Sequence, residues 1–387
     1  LVCPPNTRSG RPALFLMSVY SPADSGLPAY FLPMLDDGDR NKSYSMAIKD
    51  TIARFFREQG RAPRVIDVGC GTGLLSILSL KHGAAHVTAV DTNKNMCSFT
   101  QTALEREGYV PKKQFRVVNG CIKRQSQSGV KSRSSFIPEP DEFDILVSEI
   151  LGTVATSEGI FEHTSVVLPY LKKFNNQCYV IPNKIQVTAA VYSLSALYAS
   201  MTDTSAPFET ALDGILPIPS ENGEVCLTSS QTTALPLHLL GAKKLSDDII
   251  LREDVYQPNE AGTSWREKNM PSGKFTDVIF GKRKDGGEGC EVTPAARYAL
   301  DLRTVIVIEW KAELNTDDSS NAATIFNTID GLLRLDARNA AARHAQWGFM
   351  FSRAAPPAIE PVLARGLKIK AGSWDKGIPK IFVKTIT

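Results

Sequence analysis

Val65-Ile66-Asp67-Val68-Gly69-Cys70-Gly71-Thr72-Gly73-Leu74-Leu75 is the stretch that decides the fold. It reads as a short apolar strand beginning at Arg64, a glycine-rich turn, and a helix that continues to His82. A second strand follows at Val87-Thr88-Ala89-Val90-Asp91. Strand, helix and strand within about thirty residues make a βαβ unit, so a parallel, doubly wound sheet is expected. Further along come a helix from Asn95 to Glu107 and strands at Phe115–Val118 and Phe143–Val147. On the amino-terminal side, Tyr30, Met34, Tyr44, Ala47, Ile48, Ile52, Phe55 and Phe56 keep a helical spacing. Gly38 and the acidic Asp36, Asp37 and Asp39 interrupt it, which predicts two short helices.

After Pro182 the texture changes to short β-like runs, among them Ile185–Val191, Val225–Leu227, Arg303–Trp310 and Leu367–Ile369. They predict a second, antiparallel domain, although the run ending at Trp310 is too apolar to separate a barrel from a sandwich. The expected organisation is a flexible lead-in over 1–28, helices and a Rossmann-like domain over 29–182, and a β domain over 183–387. Residues 241–289 are polar and broken and read as a surface insertion, whereas 192–216 begins with helical spacing at Leu194, Leu197, Tyr198 and Met201.

Composition narrows the class. The 387 residues exceed one ordinary core, and 43% apolar with 22% charged is near the globular average. Lys plus Arg of 44 against Asp plus Glu of 41 leaves +3, so bulk charge gives no support for direct nucleic-acid binding. Seven scattered cysteines without a C-x-x-C pair point to reduced thiols and offer no zinc signature, so no metal is expected. No apolar stretch approaches the roughly 18 residues that span a bilayer, and a chain without a membrane partner is expected.

The glycine turn asks for a nucleotide-like ligand, and the surrounding charges select among candidates. Gly69, Gly71 and Gly73 give G-x-G-x-G, whereas the dinucleotide fingerprint is G-x-G-x-x-G. Asp67, at the strand end, would repel a pyrophosphate but suits the cationic groups of S-adenosylmethionine. Asp91 ends the next strand, placed to accept both hydroxyls of a ribose, which either ligand carries. A nicotinamide-dependent oxidoreductase is therefore the rival of another class, together with a non-catalytic scaffold on the same fold.

Two glutamates form the second constellation. Glu149 stands at the carboxyl end of the Phe143–Val147 strand, where ligands sit in open α/β sheets, and Glu158 follows after a segment containing Gly152. Two carboxylates returning from one loop can face each other, and both stay ionised only with a cation between them.

These residues in this order resemble the protein arginine N-methyltransferases: the glycine turn, Asp91, and the Ser148-Glu149 to Glu158 loop. The resemblance runs from about Tyr30 onward and implies a class I methyltransferase domain followed by a β-barrel domain with a helical dimerisation arm at 192–216. It implies S-adenosylmethionine as cofactor and S-adenosylhomocysteine as product, with Met34, Arg40, Asp67, Gly69, Gly71, Asp91, Cys121 and Ile122 binding it. Arg40 takes the role of the arginine that grips the cofactor carboxylate. Glu149 and Glu158 become the catalytic residues, and Gln346 and Trp347 the substrate-binding ones.

The family's Thr-His-Trp loop is matched here by Ala345-Gln346-Trp347. Gln346 cannot titrate, so it cannot serve a histidine-based proton route; His344 is a candidate base beside it. The wording around Leu146–Leu151 and Ser157-Glu158-Gly159 is most similar to the type 7 branch, which implies type III activity stopping at monomethylarginine, with symmetric or asymmetric dimethylation as the alternative. The resemblance further implies arginine-containing protein substrates, such as Arg/Gly-rich RNA-binding proteins or histones, a homodimer, and a cytoplasmic location with the nucleus as a second.

Overall fold

A computed structural model of the chain describes residues 31–122, 135–136, 139, 142–152, 154–172, 178–193, 224–227, 232–235, 242–244, 246–259, 262–268, 276–278, 304–315, 323–328, 332, 346–350, 367–375 and 378–385. The lead-in over 1–28 lies outside the described residues. The chain divides into two compact units. One comprises Leu1–Ser148, Tyr170–Lys173 and Asp336–Arg343, and the other Glu149–Pro169, Phe174–Leu335 and His344–Thr387.

The first unit opens with helices α1 (Phe31–Asp36) and α2 (Gly38–Gln59). The break between them falls at Asp37, whose carboxylate accepts the Arg40 N–H at 3.0 Å as a helix N-cap. The acidic cluster therefore starts a helix instead of interrupting one, and α2 runs for 22 residues where a short helix was expected. It buries Tyr44, Ala47, Ile48, Thr51, Ile52 and Phe55 on one face and ends at Gly60, φ 67°.

Strands β1 (Arg64–Val68), β2 (His86–Asp91), β3 (Phe115–Asn119) and, further on, β6 (Ile145–Ser148) form a parallel sheet in the order β3-β2-β1-β6. Helices α3 (Leu74–Lys81) and α4 (Lys94–Arg106) make the crossovers. The order reverses beside β1, and that reversal opens a crevice at the carboxyl ends of the strands. Short strands β4 (Cys121–Ile122) and β5 (Ser135–Phe136) pair in parallel beyond β3. The middle of the sheet is closed to solvent, with Ile66, Val87, Ala89, Leu146 and Val147 all fully buried. At its amino end Asp144 is buried too, and Arg61 neutralises it with two bonds of 2.7 and 2.8 Å while the Arg64 N–H donates a third at 2.8 Å.

In the second unit, helix α5 (Ile160–Val167) is followed by β7 (Tyr179–Ile181), β8 (Lys184–Ser193), β9 (Glu224–Leu227), β10 (Thr232–Leu235), β11 (Lys243–Lys244), β12 (Ile249–Asn259), β13 (Gly262–Lys268) and β14 (Thr276–Val278). Then come β15 (Thr304–Glu313), β16 (Thr324–Asn327), β17 (Gln346–Met350), β18 (Leu367–Asp375) and β19 (Ile378–Thr385). One antiparallel sheet runs β10-β17-β15-β8-β12-β13, with β11 on β8 and β16 on β15, and a second runs β14-β18-β19-β9. β8 lies at the centre of the first sheet, and its residues 185–192 are all buried, the polar Gln186 and Thr188 among them.

Two expectations change. The boundary expected at 182 moves, because Glu149–Pro169 groups with the second unit: α5 packs against β13, and the Phe161 ring lies 4.3 Å from the Arg252 guanidinium. The surface insertion expected over 241–289 is, in its described part, sheet. β12 pairs β8 and β13, and Leu251, Asp254 and Tyr256 are buried. Of the expected arm, Tyr192 and Ser193 are the last residues of β8, and 194–216 lie outside the described residues. Among the described residues no helix is long and apolar enough to cross a membrane, and no cluster of three or more His, Cys, Asp or Glu side chains is arranged to hold a metal.

A buried chain of polar contacts joins α2 to the strand ends. Tyr44 Oη donates to the Ser148 carbonyl at 3.0 Å, and Ser148 Oγ donates to the Val68 carbonyl at 2.7 Å. Tyr44→Phe removes the donor and leaves a buried carbonyl short of a partner, so unfolding free energy should fall by about 1–2 kcal/mol in urea titrations.

Candidate functional site

The glycine turn occupies the crevice at the carboxyl end of β1. Gly69, Gly71 and Gly73 have φ of 74°, 50° and 82°, values that L side chains rarely adopt, so glycine is required by conformation. Space is a second reason: a Cβ on Gly71 would lie 3.0 Å from the Phe31 ring, and one on Gly73 would lie 2.9 Å from Thr100 Cγ2. The turn is thus packed by α1 on one side and α4 on the other. Thr100 Oγ1 donates to the Gly71 carbonyl at 2.7 Å, and the N–H groups of Gly69 and Cys70 donate to the Val90 carbonyl at 2.9 and 3.0 Å.

Asp91 organises the opposite wall. Its Oδ2 accepts the Gly71 N–H at 2.9 Å, its Oδ1 accepts the Asn93 N–H at 2.8 Å, and its carbonyl accepts the Gly120 N–H at 2.9 Å. Asn93 in turn caps α4, accepting from Asn95 at 2.9 Å and Met96 at 3.4 Å. Each carboxylate oxygen keeps a further lone pair, so Asp91 retains capacity for two hydroxyl donors. Cys121 and Ile122 follow directly on Gly120 as β4, and Cys121 is half-buried.

Asp67 is fully buried. Ser76 Oγ donates to its Oδ2 at 2.6 Å, while Oδ1 has no hydrogen-bond partner. Desolvation pushes its pKa up to about 7, the Ser76 bond partly opposing this and the Asp91 charge adding to it. The Cys70 thiol is likewise raised, by burial first and then by Asp67 and Asp91, so it is not an activated nucleophile.

Met34 and Arg40 are brought together at the α1–α2 corner, where Arg40 Nη2 donates to the Met34 carbonyl at 2.6 Å. Arg40 also reaches Asn41 Oδ1 at 3.3 and 3.4 Å. Of the cofactor-site residues inferred from sequence, Gly69, Gly71 and Asp91 are joined directly, Asp67 lies on the strand that leads into the turn, and Phe31 connects the Met34–Arg40 corner to Gly71. The residues present fit a neutral sugar: Asp91 offers spare acceptors and no Lys or Arg side chain in the turn favours phosphate, whereas Asp67 is enclosed by the protein beneath the turn.

Ser76, Thr100 and Asn119 carry no role in the sequence reading. Their contacts join residues 9 to 29 positions apart, beyond local pattern. Asn93 was within reach of it, as an Asn before a helix start.

The glutamate loop belongs to the second unit. Gly152 and Ala155 form an antiparallel bridge, Thr156 N–H donates to the Val154 carbonyl, and Ser157 N–H donates to the same carbonyl at 3.1 Å. Ala155 adopts φ 27°, a rare conformation for a residue with a side chain. The turn brings Gly152 against Glu158, where a Cβ would lie 3.3 Å from Glu158 Oε1 and overlap Ser157 Oγ. Glu158 immediately precedes Gly159, φ 78°, which starts α5 without a side-chain cap. Its carboxylate is exposed and has no ion-pair partner among the described residues, yet surrounding atoms desolvate it enough to raise its pKa. Glu149 is half-buried at the other end of the loop. Gln346 and Trp347, read as part of a closing loop, are the first residues of β17, where Trp347 pairs with Ala234 and Ile308. Their side chains, and His344, lie outside the described residues.

Asp67 generates a test independent of any ligand. Its folded pKa near 7 exceeds the ordinary aspartate value of 3.8, so the folded state binds the proton more tightly than the unfolded one. Stability from this group is present at low pH and declines as pH rises from about 4 to about 7. Asp67→Asn should flatten that decline in denaturant titrations across the window.

A family model for ribosomal protein L11 methyltransferase (PrmA) matches residues 48–158. Protein arginine N-methyltransferase 7 of Drosophila grimshawi is 31% identical over 227 residues, 55% of this chain and 29% of that protein. Protein arginine N-methyltransferase 7 of Aedes aegypti is 27% identical over 241 residues, 60% of this chain and 32% of that protein. The chain spans about a third of the length of these relatives. Among solved structures, the Trypanosoma brucei PRMT1 enzyme–prozyme heterotetrameric complex with AdoHcy superposes with a TM-score of 0.51 at 14% identity, covering 93% of this chain and 94% of that one. The crystal structure of PRMT6 gives 0.52 at 15% identity, covering 91% and 98%. Over more than half its length the chain resembles the protein arginine N-methyltransferase 7 proteins in sequence, and it has the fold of the arginine methyltransferases, a Rossmann-like unit joined to an antiparallel β unit.

Proposed function

We propose that this chain uses S-adenosylmethionine to methylate arginine side chains of proteins and stops at ω-N-monomethylarginine. The observation that carries the reading is Glu158: an exposed, desolvated carboxylate with no described cation, backed by a glycine that leaves room for it. A guanidinium supplies what such a group lacks, a charge that does not titrate away and a planar fork of donors.

Arg40, Asp67, Asp91 and the turn glycines would hold the cofactor, with Met34, Cys121 and Ile122 completing its surroundings. When bound, S-adenosylmethionine supplies a methyl group activated by its sulfonium charge. Glu149 and Glu158 would grip the substrate guanidinium and draw its positive charge toward the nitrogens they bind, leaving electron density on the remaining one. A guanidinium with a pKa above about 12 is not deprotonated beforehand, so orientation of that nitrogen is the chain's main contribution. Gln346 supports the monomethyl product, because it offers no titratable group where the family has a histidine.

The names of the relatives support the substrate class, and we extend the reading to Arg/Gly-rich RNA-binding proteins or histones as substrates, a homodimer, and a cytoplasmic location with nuclear access.

Glu149→Gln and Glu158→Gln should each lower methyl transfer to an arginine-rich peptide by about 100-fold or more, read with radiolabelled donor, while S-adenosylhomocysteine binding by calorimetry stays near the parent value. Near-native transfer by either variant contradicts the assignment. Gly152→Ala should lower kcat by about 10- to 100-fold by displacing the Glu158 carboxylate. Mass spectrometry after long incubation should find monomethylarginine, and substantial dimethylarginine would overturn that part of the reading.

A further inference from the structure

The start of α5 has no side-chain cap to fix it. Its direction is set by burial: Ile160, Phe161, Thr164 and Val167 all face inward. Phe161 has an unusual neighbour for a buried ring, because Arg252 Cζ of β12 lies 4.3 Å from its centroid and 5.4 Å from that of Trp374 on β18. The guanidinium is itself fixed. Asp254, buried at 2% exposure, accepts from Arg252 Nε at 2.6 Å and Nη2 at 3.1 Å. Two parallel bonds to a buried carboxylate orient the guanidinium plane, and an oriented plane can stack on aromatic faces.

We infer that Arg252, held by Asp254 and lying over Phe161, is a positioning residue for the Glu158 carboxylate. The inference rests on the proposed arginine methylation at Glu158. The chain of action is short: Asp254 orients Arg252, Arg252 fixes Phe161, and Phe161 fixes the first turn of α5, which Glu158 enters through Gly159. The left-handed Gly159 makes this junction a flexible joint, so its geometry depends on what holds the helix beyond it. A carboxylate that must grip a guanidinium tolerates little displacement, since errors of about 1 Å cost on the order of 100-fold in rate.

The test uses the full chain with Arg252→Gln and, separately, Asp254→Asn, which keeps the arginine but loosens its clamp. Two readouts are compared with the parent: steady-state methyl transfer to an arginine-rich peptide, and amide hydrogen exchange. Positioning predicts that kcat falls about 10- to 100-fold for Arg252→Gln and less for Asp254→Asn, with the KM for S-adenosylmethionine within twofold. Exchange should rise at residues 159–163 and stay unchanged at 64–91. A kcat within twofold of the parent, or exchange rising equally in both segments, overturns the inference. If Arg252→Gln does not fold, Asp254→Asn decides on the same criteria. Absence of methyl transfer by the parent chain would instead overturn the function on which the inference rests.

Discussion

One carboxylate, that of Asp91, closes the glycine turn. By accepting the N–H groups of Gly71 and Asn93 together it ties the turn after β1 to the start of α4, two segments that the sequence separates by about twenty residues. Remove that bond and the turn is held only by its own backbone, by Thr100 and by the Val90 carbonyl. The same aspartate stands at the end of β2 with lone pairs to spare, so the group that shapes the site is also the one best placed to meet a ligand. Pre-organisation of this kind lowers the ordering cost of binding, because the acceptors need not be assembled when the ligand arrives.

Among the described residues, two carboxylates with unmet demand lie where the proposed function places its site. Asp67 keeps one oxygen without a donor in a fully buried place, and Glu158 is desolvated without a described cation. The Asp67 arrangement costs stability in the free chain, since a buried polar group without a partner loses hydration and gains nothing in return. Asp144 shows the contrast. It is equally buried, but two bonds from Arg61 and one from the Arg64 N–H satisfy it, as befits a group that only supports the sheet.

The Rossmann-like half was legible because its signals are local. A β-rich run, a turn whose glycines must adopt positive φ, and a helix follow one another within a dozen residues, and the observed β1 is the expected one. Asp37 was visible too, but as an interruption; reading it as an N-cap would have given the long α2. The second half was less legible because its pattern is broken by buried charge. Residues 241–289 read as an insertion because they are polar and broken, most of all over 282–289, and Arg252-Glu253-Asp254 adds to that polarity. In the fold Arg252 is half-buried and neutralises the buried Asp254, so polarity marks a structural ion pair on a central strand instead of a loop. The glutamates stood out only through the order of motifs around them, since an isolated Glu carries no signature of its own. What no local pattern held was the way Gly152 leaves space for Glu158, a contact made only once the intervening turn has formed.

The pairing of Arg252 with Asp254 also bears on why Glu158 has no ion-pair partner among the described residues. A guanidinium lies against Phe161, three residues beyond Glu158, and an arginine free to swing would find in that desolvated carboxylate an attractive partner. Asp254 opposes this by taking the Nε–Nη2 edge of the guanidinium, and its burial makes exchange costly, because leaving it would strand a carboxylate without hydration. Among the described residues the Arg252 charge is thus kept as structure, which leaves the Glu158 carboxylate to its proposed role toward a substrate cation. On this view Asp254 protects the selectivity of Glu158 for a cation that comes from outside the chain.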